Sequence, residues 1–451
     1  MNSINTILAS RQKILILGFG REGKSTYRYI RSLFPKKMLT IADEKSHPDL
    51  FSCLSADPCL MVQTGKKCFN NLSQFDLIIK TPGIPLFKLT GAQKKNITSQ
   101  TDLFLRQYGT QTTGISGTKG KSTTASLIYH LLKISGRETI FAGNIGIPAF
   151  DMLPRITPET TVVMELSAHQ GEILHVAPHV MILLNLFQEH LDHFGNFGNY
   201  KQAKLNFCTF QKPGDYFIYL TEDPELIQCA GTVDGVHYIG ISESFSENGY
   251  SFKDEKITGR GLEMENYICA LKGKHNRKNI AAAVAAAHIL EINTDTLQTG
   301  LASFSPLKHR MEFVGEINTV KYYNDSISTV PEATIAAMET LNRVSVLILG
   351  GFDRGIDYSK LANYLRDYTA ASLVLLGQAG KRMGIEFLKA GIPQHRMLYA
   401  ASMEECLSIA HDKAPRKTIC LLSPAAASYD TYADFEERGD HFKALVKQHQ
   451  R

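Results

Sequence analysis

Tryptophan is absent from the 451-residue sequence, and that absence excludes nothing. Other shortages exclude more. No apolar run approaches the ~20 residues that a membrane span requires; the longest, such as residues 180–184, are the size of a strand. Residues 1–11 lack a basic segment followed by an apolar one, so no secretory signal is expected. The eight cysteines include no C-x-x-C pair. In a chain this long that argues for reduced thiols in a cytoplasm rather than a disulfide framework. Neither sign of charge dominates: 49 basic against 44 acidic side chains leave a formal net charge of +5, too small and too dispersed for a nucleic-acid face. Hydrophobic residues at 43% and charged residues at 21% match folded chains and rule out disorder.

What is present is alternation. Strand-like apolar runs at residues 13–17, 38–41 and 77–79 are interleaved with a helical pattern at 25–33. A second series begins near Gly109, with strands expected at 114–116, 161–166 and 179–184 and helices at 123–132, 200–207 and 279–290. Past Ser305-Pro306, strands are expected at 344–349, 372–376 and 418–422. Strands alternating with helices imply an α/β fold with parallel sheets, in three units.

Two glycine-rich turns follow strands and open helices. Gly18-Phe19-Gly20-Arg21-Glu22-Gly23 has the G-x-G-x-x-G spacing, with Asp43 twenty residues beyond. Glycines let the backbone approach a diphosphate, and the helix N-terminus offers unpaired N–H groups. On this motif alone an NAD site, a UDP-type ligand and a plain strand–helix turn all remain open. The second turn, Gly117-Thr118-Lys119-Gly120-Lys121-Ser122-Thr123, is sharper. Backbone N–H groups there can cradle a triphosphate, Lys121 can meet its β/γ oxygens, and Ser122 Oγ can reach Mg²⁺. The strict pattern places glycine where this chain has Ile115, so the loop is a variant. ATP is the expected ligand.

A triphosphate calls for a divalent ion. Glu165 ends an apolar strand, and Asn185-Leu186-Phe187-Gln188-Glu189-His190-Leu191-Asp192-His193 follows another. The H-x-x-H spacing has no cysteine or further ligand beside it to close a zinc site, so Mg²⁺ with oxygen and histidine ligands fits better. By residue type alone, His169 and His193 read as satisfied histidines, and Lys204 as a solvated lysine.

The order of these pieces resembles one family, the ATP-dependent Mur ligases. Within it the resemblance is to members that join glutamate to UDP-N-acetylmuramoyl-L-alanine in peptidoglycan precursor synthesis. It rests on the loop at Gly117 to Ser122, Gly143-Asn144-Ile145-Gly146, Glu165-Leu166-Ser167, the Asn185 to His190 block and Ala203-Lys204. It continues through His275-Asn276 with Asn279, His309-Arg310, Asn324-Asp325-Ser326 and Leu422-Ser423-Pro424-Ala425 with Ser428. The resemblance implies a Rossmann-like UDP-binding domain (1–107), a central P-loop ATPase domain (108–305) and a Rossmann-like C-terminal domain for glutamate (306–451). It favours UDP over NAD at the first turn. It further implies a cytoplasmic monomer that takes small-molecule substrates, ATP and two Mg²⁺ ions, with no nucleic-acid partner.

The family's roles transfer to matching positions. Gly117, Thr118, Lys119, Gly120, Lys121, Ser122, Thr123, Asn276, Asn279, Arg310 and Asp325 are implied for ATP. Ser122, Glu165, His190 and Lys204 as a carbamate are implied for metal, and with Lys121 the last three make the catalytic set. Gly20, Arg21, Glu22, Gly23, Lys24, Asp43, Thr81, Pro82, Gly83 and Asn144 are implied for the UDP substrate, and Thr329, Arg354, Ser428, Tyr429 and Phe435 for glutamate.

Departures mark where this chain differs. Glu189 replaces the usual aspartate before His190, Lys119 stands where asparagine is common, and Arg354 stands where many members have lysine. Ile327 occupies the position of a lysine near the incoming glutamate. D-glutamate is the family's usual substrate, and these departures are similar to those of an L-glutamate-adding branch. A folylpolyglutamate synthase-like ligase and an inactive nucleotide-binding scaffold are the other readings. The first lacks a UDP domain like residues 1–107, and the second is disfavoured by the presence of Lys121, Glu165, His190 and Lys204.

Overall fold

The computed structural model describes residues 3–44, 57–89, 96–143, 147–244, 248–271, 273–305, 308–341 and 343–450. Asn144, Ile145 and Gly146 lie outside them, so the Asn144 expectation has no structural counterpart here. The chain forms two compact units, Met1–Phe304 and Ser305–Arg451.

The first unit contains two sheets. Five parallel strands, β1 (Ile14–Leu17), β2 (Leu39–Asp43), β3 (Leu60–Thr64), β4 (Leu77–Lys80) and β5 (Ile97–Thr98), lie in the order β3-β2-β1-β4-β5. β1 and β4 are buried at every position, as expected of parallel strands covered on both faces. Leu17 at the end of β1 pairs with Ala42 on one side and Lys80 on the other, so the three C-terminal ends are level. The strand order reverses at β1. That switch point is where open α/β sheets leave a crevice for ligands.

The second sheet has nine strands: β6 (Thr112–Ser116), β7 (Thr139–Gly143), β8 (Thr161–Glu165), β9 (Val180–Leu183), β10 (Tyr216–Leu220), β11 (His237–Ser242), β12 (Tyr250–Lys253), β13 (Lys256–Gly259) and β14 (Leu262–Met264). Their order is β14-β13-β12-β11-β10-β9-β6-β8-β7, parallel except for the antiparallel β12–β14 extension. Helix Lys121–Ile134 packs against helix Lys274–Ile289, whose residues 281–287 are six alanines and a valine, all buried. Alanine is the strongest helix former, and its small side chain allows close approach. The two sheets share one apolar core, in which Ile14, Phe104, Phe150, Leu183 and Phe207 take part.

The second unit is a six-stranded sheet of β15 (Glu312–Ile317), β16 (Val320–Asn324), β17 (Val344–Gly350), β18 (Ser372–Leu376), β19 (Met397–Ala400) and β20 (Ile419–Leu422), ordered β15-β16-β20-β17-β18-β19. Only the β15–β16 pair is antiparallel. Leu347 and Leu349 enter one core while Val346 and Ile348 enter another, the alternation of a strand buried on both faces.

Both units have the α/β class expected from the sequence. Among the described residues Cys59, Cys208, Cys229, Cys406 and Cys420 carry free thiols, and no helix is long and apolar enough to cross a membrane.

Candidate functional site

The first glycine turn borders a cleft of about 510 Å³ at the level ends of β1, β2 and β4. Gly20, Arg21, Glu22, Asp43, Thr81, Pro82 and Gly83 line it, so most of the residues expected for the UDP group converge there. Gly23 and Lys24 lie on helix Arg21–Leu33 and do not line it. Gly18 has φ +96°, and a Cβ there would lie 2.0 Å from Thr81 Oγ1. A Cβ on Gly23 would lie 2.2 Å from the Gly18 carbonyl oxygen. Gly20, by contrast, faces open space. Two glycines thus close the turn, and the middle one leaves the backbone open to a ligand. Asp43 Oδ2 accepts the Phe19 N–H at 2.7 Å, so this carboxylate holds the turn.

A buried polar bridge runs from this cleft to the second sheet. Lys80, at the end of β4, donates from Nζ to Glu172 at 2.8 Å and to the carbonyls of Ile84 and Thr81 at 2.6 and 3.2 Å. Both side chains of the ion pair are buried, where loss of one partner typically costs 3–5 kcal/mol. Gln170 donates from Nε2 to Glu22 at 2.8 Å, while its Oε1 accepts the Ser167 N–H at 2.9 Å. That second bond fixes the amide's orientation, because a backbone N–H can only donate. Sequence reading missed this bridge; its one signal is a lysine closing the otherwise apolar strand Leu77–Lys80.

The second glycine turn leads from β6 into helix Lys121–Ile134, with Gly120 at φ 89° as its N-cap. A Cβ on Gly120 would lie 2.5 Å from Asn279 Oδ1, so the turn passes directly against helix Lys274–Ile289. Asn279 donates to Asn276 at 3.2 Å, so these two expected residues adjoin each other beside the turn. Asn185 brackets Lys119, accepting its N–H at 2.8 Å and donating to its carbonyl at 3.0 Å. Thr118 Oγ1 accepts the Phe187 N–H at 2.9 Å and lies 2.9 Å from the Tyr200 hydroxyl.

Two lysines meet at this turn. Lys121 Nζ donates to the Gly117 and Thr118 carbonyls, each at 2.9 Å. Lys204 Nζ donates to the same Gly117 oxygen at 2.6 Å and to Ser116 Oγ at 3.1 Å. Far from being a solvated lysine, Lys204 is 1% exposed. Burial, reinforced by the neighbouring Lys121 charge, holds its amine well below the ordinary lysine range, against the opposing pull of Glu189 and Glu165.

Glu165 closes β8 and is fully buried. His190 adopts φ +55°, a left-handed conformation that costs a non-glycine residue about 1 kcal/mol or more. Its ring lies 4.9 Å from that of His169, which in turn lies 4.2 Å from that of His193. Burial first, then the His193 and His190 charges, push His169 down to about 3, so it is neutral across the physiological range.

In the second unit Asp325, Ser428 and Arg354 follow the C-terminal ends of β16, β20 and β17, which are sheet neighbours, whereas Arg310 precedes β15 and Phe435 opens helix Phe435–His449. Arg354 donates to the Thr329 carbonyl at 2.9 Å. Phe352, two residues earlier, pairs with Ala427 and packs its ring 6.4 Å from Tyr429. Ser428 is buried, and Ser326 Oγ donates to the Phe435 carbonyl at 2.8 Å. Burial lifts the Asp325 carboxyl to about 6, against hydrogen bonds from Ser328 and Ser423 and the Arg310 charge. Arg310 Nε is buried with no hydrogen-bond partner. Arg438, unnoticed in the sequence, is 1% exposed and ties Ser326 to the carbonyls of Ala426 and Ala427. Nothing in its helical surroundings distinguishes it from a surface arginine.

Residues 115–287 match the family model described as Mur ligase middle domain, and residues 309–426 the one described as Mur ligase, glutamate ligase domain. The chain is 32% identical over 448 residues to the UDP-N-acetylmuramoylalanine–D-glutamate ligase of Clostridium kluyveri, covering 96% of each chain. It is 33% identical over 442 residues to the enzyme of the same name from Geobacillus kaustophilus, again covering 96% of each. Among solved structures, MurF from Acinetobacter baumannii superposes with a TM-score of 0.60 at 16% identity, over 97% of this chain and 93% of that one. That last likeness concerns the fold.

Proposed function

The chain belongs to the Mur ligase family, and from that membership we propose that it is the ATP-dependent ligase joining glutamate to UDP-N-acetylmuramoyl-L-alanine. The reaction belongs to peptidoglycan precursor synthesis and would take place in the cytoplasm. We assign residues 1–107 to the nucleotide-sugar, 108–305 to ATP and 306–451 to glutamate. The observation that supports this reading most is the convergence of Lys121 and Lys204 on the Gly117 carbonyl at the phosphate loop.

A carboxylate is a poor acyl donor. In the proposed reaction an oxygen of the alanyl carboxylate attacks the γ-phosphorus of ATP, giving an acyl phosphate and ADP. The glutamate amine then attacks the acyl carbon, loses a proton, and inorganic phosphate leaves as the amide forms. Lys121 offsets the negative charge that triphosphate and carboxylate bring together. Asn276, Asn279, Arg310 and Asp325 are assigned to the nucleotide, and the buried Arg310 Nε is a donor suited to an acceptor oxygen.

Among the described residues no three His, Cys, Asp or Glu side chains gather into a ready metal cage. Magnesium does not need one, since it takes much of its coordination from phosphate oxygens and water. Ser122, Glu165, His190 and Lys204 as a carbamate fit that pattern and would hold two ions. When bound, magnesium would neutralise phosphate charge and polarise the γ-phosphoryl group. A carbamate forms when a neutral amine adds to carbon dioxide and releases a proton. The buried Lys204 amine, with its lowered pKa, suits that addition.

We assign D-glutamate as the acceptor, as in the names of the two relatives, with Arg354, Thr329, Ser428, Tyr429 and Phe435 around it. The test is phosphate release from Mg-ATP and UDP-N-acetylmuramoyl-L-alanine, with D- and L-glutamate offered separately. Release with D-glutamate supports the assignment. Release with L-glutamate alone reverses the isomer, and release with neither sinks the ligase reading.

A further inference from the structure

Glu22 is an unusual group to find beside a diphosphate. It is the second residue of helix Arg21–Leu33 and lines the 510 Å³ cleft. Its Oε1 accepts the Gln170 amide at 2.8 Å. Its Oε2 is buried and has no hydrogen-bond partner. A fully ionised carboxylate there would carry its charge on one neutral hydrogen bond and a helix N-terminus, against both desolvation and the incoming phosphates.

The surrounding charges do not remove that conflict. All three hydrogens of Lys80 are engaged by Glu172, Thr81 and Ile84, so this lysine has none left for Glu22, and its charge is already matched by Glu172. Asp43 and Glu44 add negative charge past β2. Asp151, against the back of the helix, is occupied by Arg28 and Ser25. Arg21 and Lys24 are the cations of the helix's first turn, and Arg28 and Arg31 further along it are paired with Asp151 and Asp57. His169, beside Gln170, is neutral.

Building on the nucleotide-sugar assignment above, we propose that Glu22 works as a carboxylic acid, taking up a proton as the diphosphate binds and donating Oε2–H to a phosphate oxygen. The proton comes from solvent and stays on Glu22 while the ligand is bound. Gln170 is the positioning residue, since its fixed Nε2 donor leaves Oε1 the carbonyl end and Oε2 the hydroxyl end. Burial, only partly offset by Gln170 and Lys80, raises the carboxyl to about 7, so free enzyme near neutrality is poised between the two forms. Above that pH each binding event must recruit a proton, and affinity falls as pH rises.

The experiment is titration calorimetry of UDP-N-acetylmuramoyl-L-alanine against the full chain, at pH 7 and pH 9, in buffers of different ionisation enthalpy. Uridine serves as the control lacking phosphate. We expect close to one proton taken up per ligand at pH 9, an affinity at least about tenfold weaker at pH 9 than at pH 7, and no proton uptake with uridine. Glu22→Gln should flatten the pH profile and bind more tightly than wild type at pH 9. Binding without proton uptake by wild type, or a Glu22→Gln profile parallel to wild type, overturns the proposal and leaves the ligase reading standing. Proton uptake with uridine overturns the phosphate contact, and absence of any binding overturns both readings. The wild-type proton count needs no variant to fold.

Discussion

The two glycine turns of the first unit share a backbone plan and differ in charge. Each leads from a buried parallel strand into a helix N-terminus. At the first, an acid, Glu22, steadied by an amide, lines the site beside Arg21 and Asp43. At the second, the Lys121 ammonium bonds the loop's own carbonyl oxygens, and the buried Lys204 beside it is assigned to hold magnesium as its carbamate. The contrast follows from what each turn is proposed to hold. A nucleotide-sugar has only to be bound and oriented, so neutral donors and backbone amides suffice. A triphosphate has to react beside a second anion, so cations are needed where negative charge accumulates. On that proposal, backbone geometry chooses phosphate at both turns, and side-chain charge chooses what happens to it.

The contrast breaks hardest at the second turn. Lys121→Ala should cut turnover by about 10²–10³-fold while leaving nucleotide-sugar binding intact, as seen by comparing steady-state rates with calorimetry. Lys204→Ala should lose turnover by a similar factor, and added short-chain carboxylates should restore part of it by standing in for the carbamate. Full activity in the unsupplemented variant would remove the carbamate from the account.

At the first turn the glycines separate by role. Gly18→Ala must fit a Cβ 2.0 Å from Thr81 Oγ1 at φ +96°, and should cost about 2–4 kcal/mol in denaturant unfolding. Gly20→Ala meets no atom within 4 Å and sits at φ −70°. It should fold with nearly wild-type stability and bind the nucleotide-sugar less tightly.

Glu22→Gln sharpens the electrostatic side. A carboxyl raised from 4.5 to about 7 in the folded chain keeps a proton that the unfolded chain has already released. Stability therefore falls as pH rises through that window and stays low above it. Removing the charge should raise stability at pH 8 by on the order of 2–3 kcal/mol and change it little at pH 4, measured by thermal melts at both. The smallest effect is expected at Ile327→Lys, about a tenfold change in KM for glutamate, worth ~1.4 kcal/mol, with KM for ATP nearly unchanged.

Both turns were legible in the sequence because glycine spacing and strand–helix junctions are local signals. So were the strands β1, β8 and β17, which carry buried apolar runs at residues 14–17, 162–164 and 346–349; β6, Thr112–Ser116, is mostly polar by residue type and was marked by the glycine loop that follows it. The short strands β12, β13 and β14 were not, because three or four residues with half-exposed faces carry little periodicity. The partners of the site residues were hidden for another reason. Lys80 with Glu172, Gln170 with Glu22, and Arg438 with Ser326 are separated by 92, 148 and 112 positions, and nothing local announces such pairings. Residue type even pointed the wrong way for Lys204, which tertiary packing buries.

The account stands or falls on an acyl phosphate made from the alanyl carboxylate. The direct measurement is isotope transfer, using UDP-N-acetylmuramoyl-L-alanine with both carboxylate oxygens labelled as ¹⁸O, Mg-ATP and glutamate, with mass analysis of the released phosphate. One ¹⁸O per inorganic phosphate is the expected result, since the bridging oxygen leaves with phosphorus when the amine attacks. Amide formation with unlabelled phosphate would contradict it.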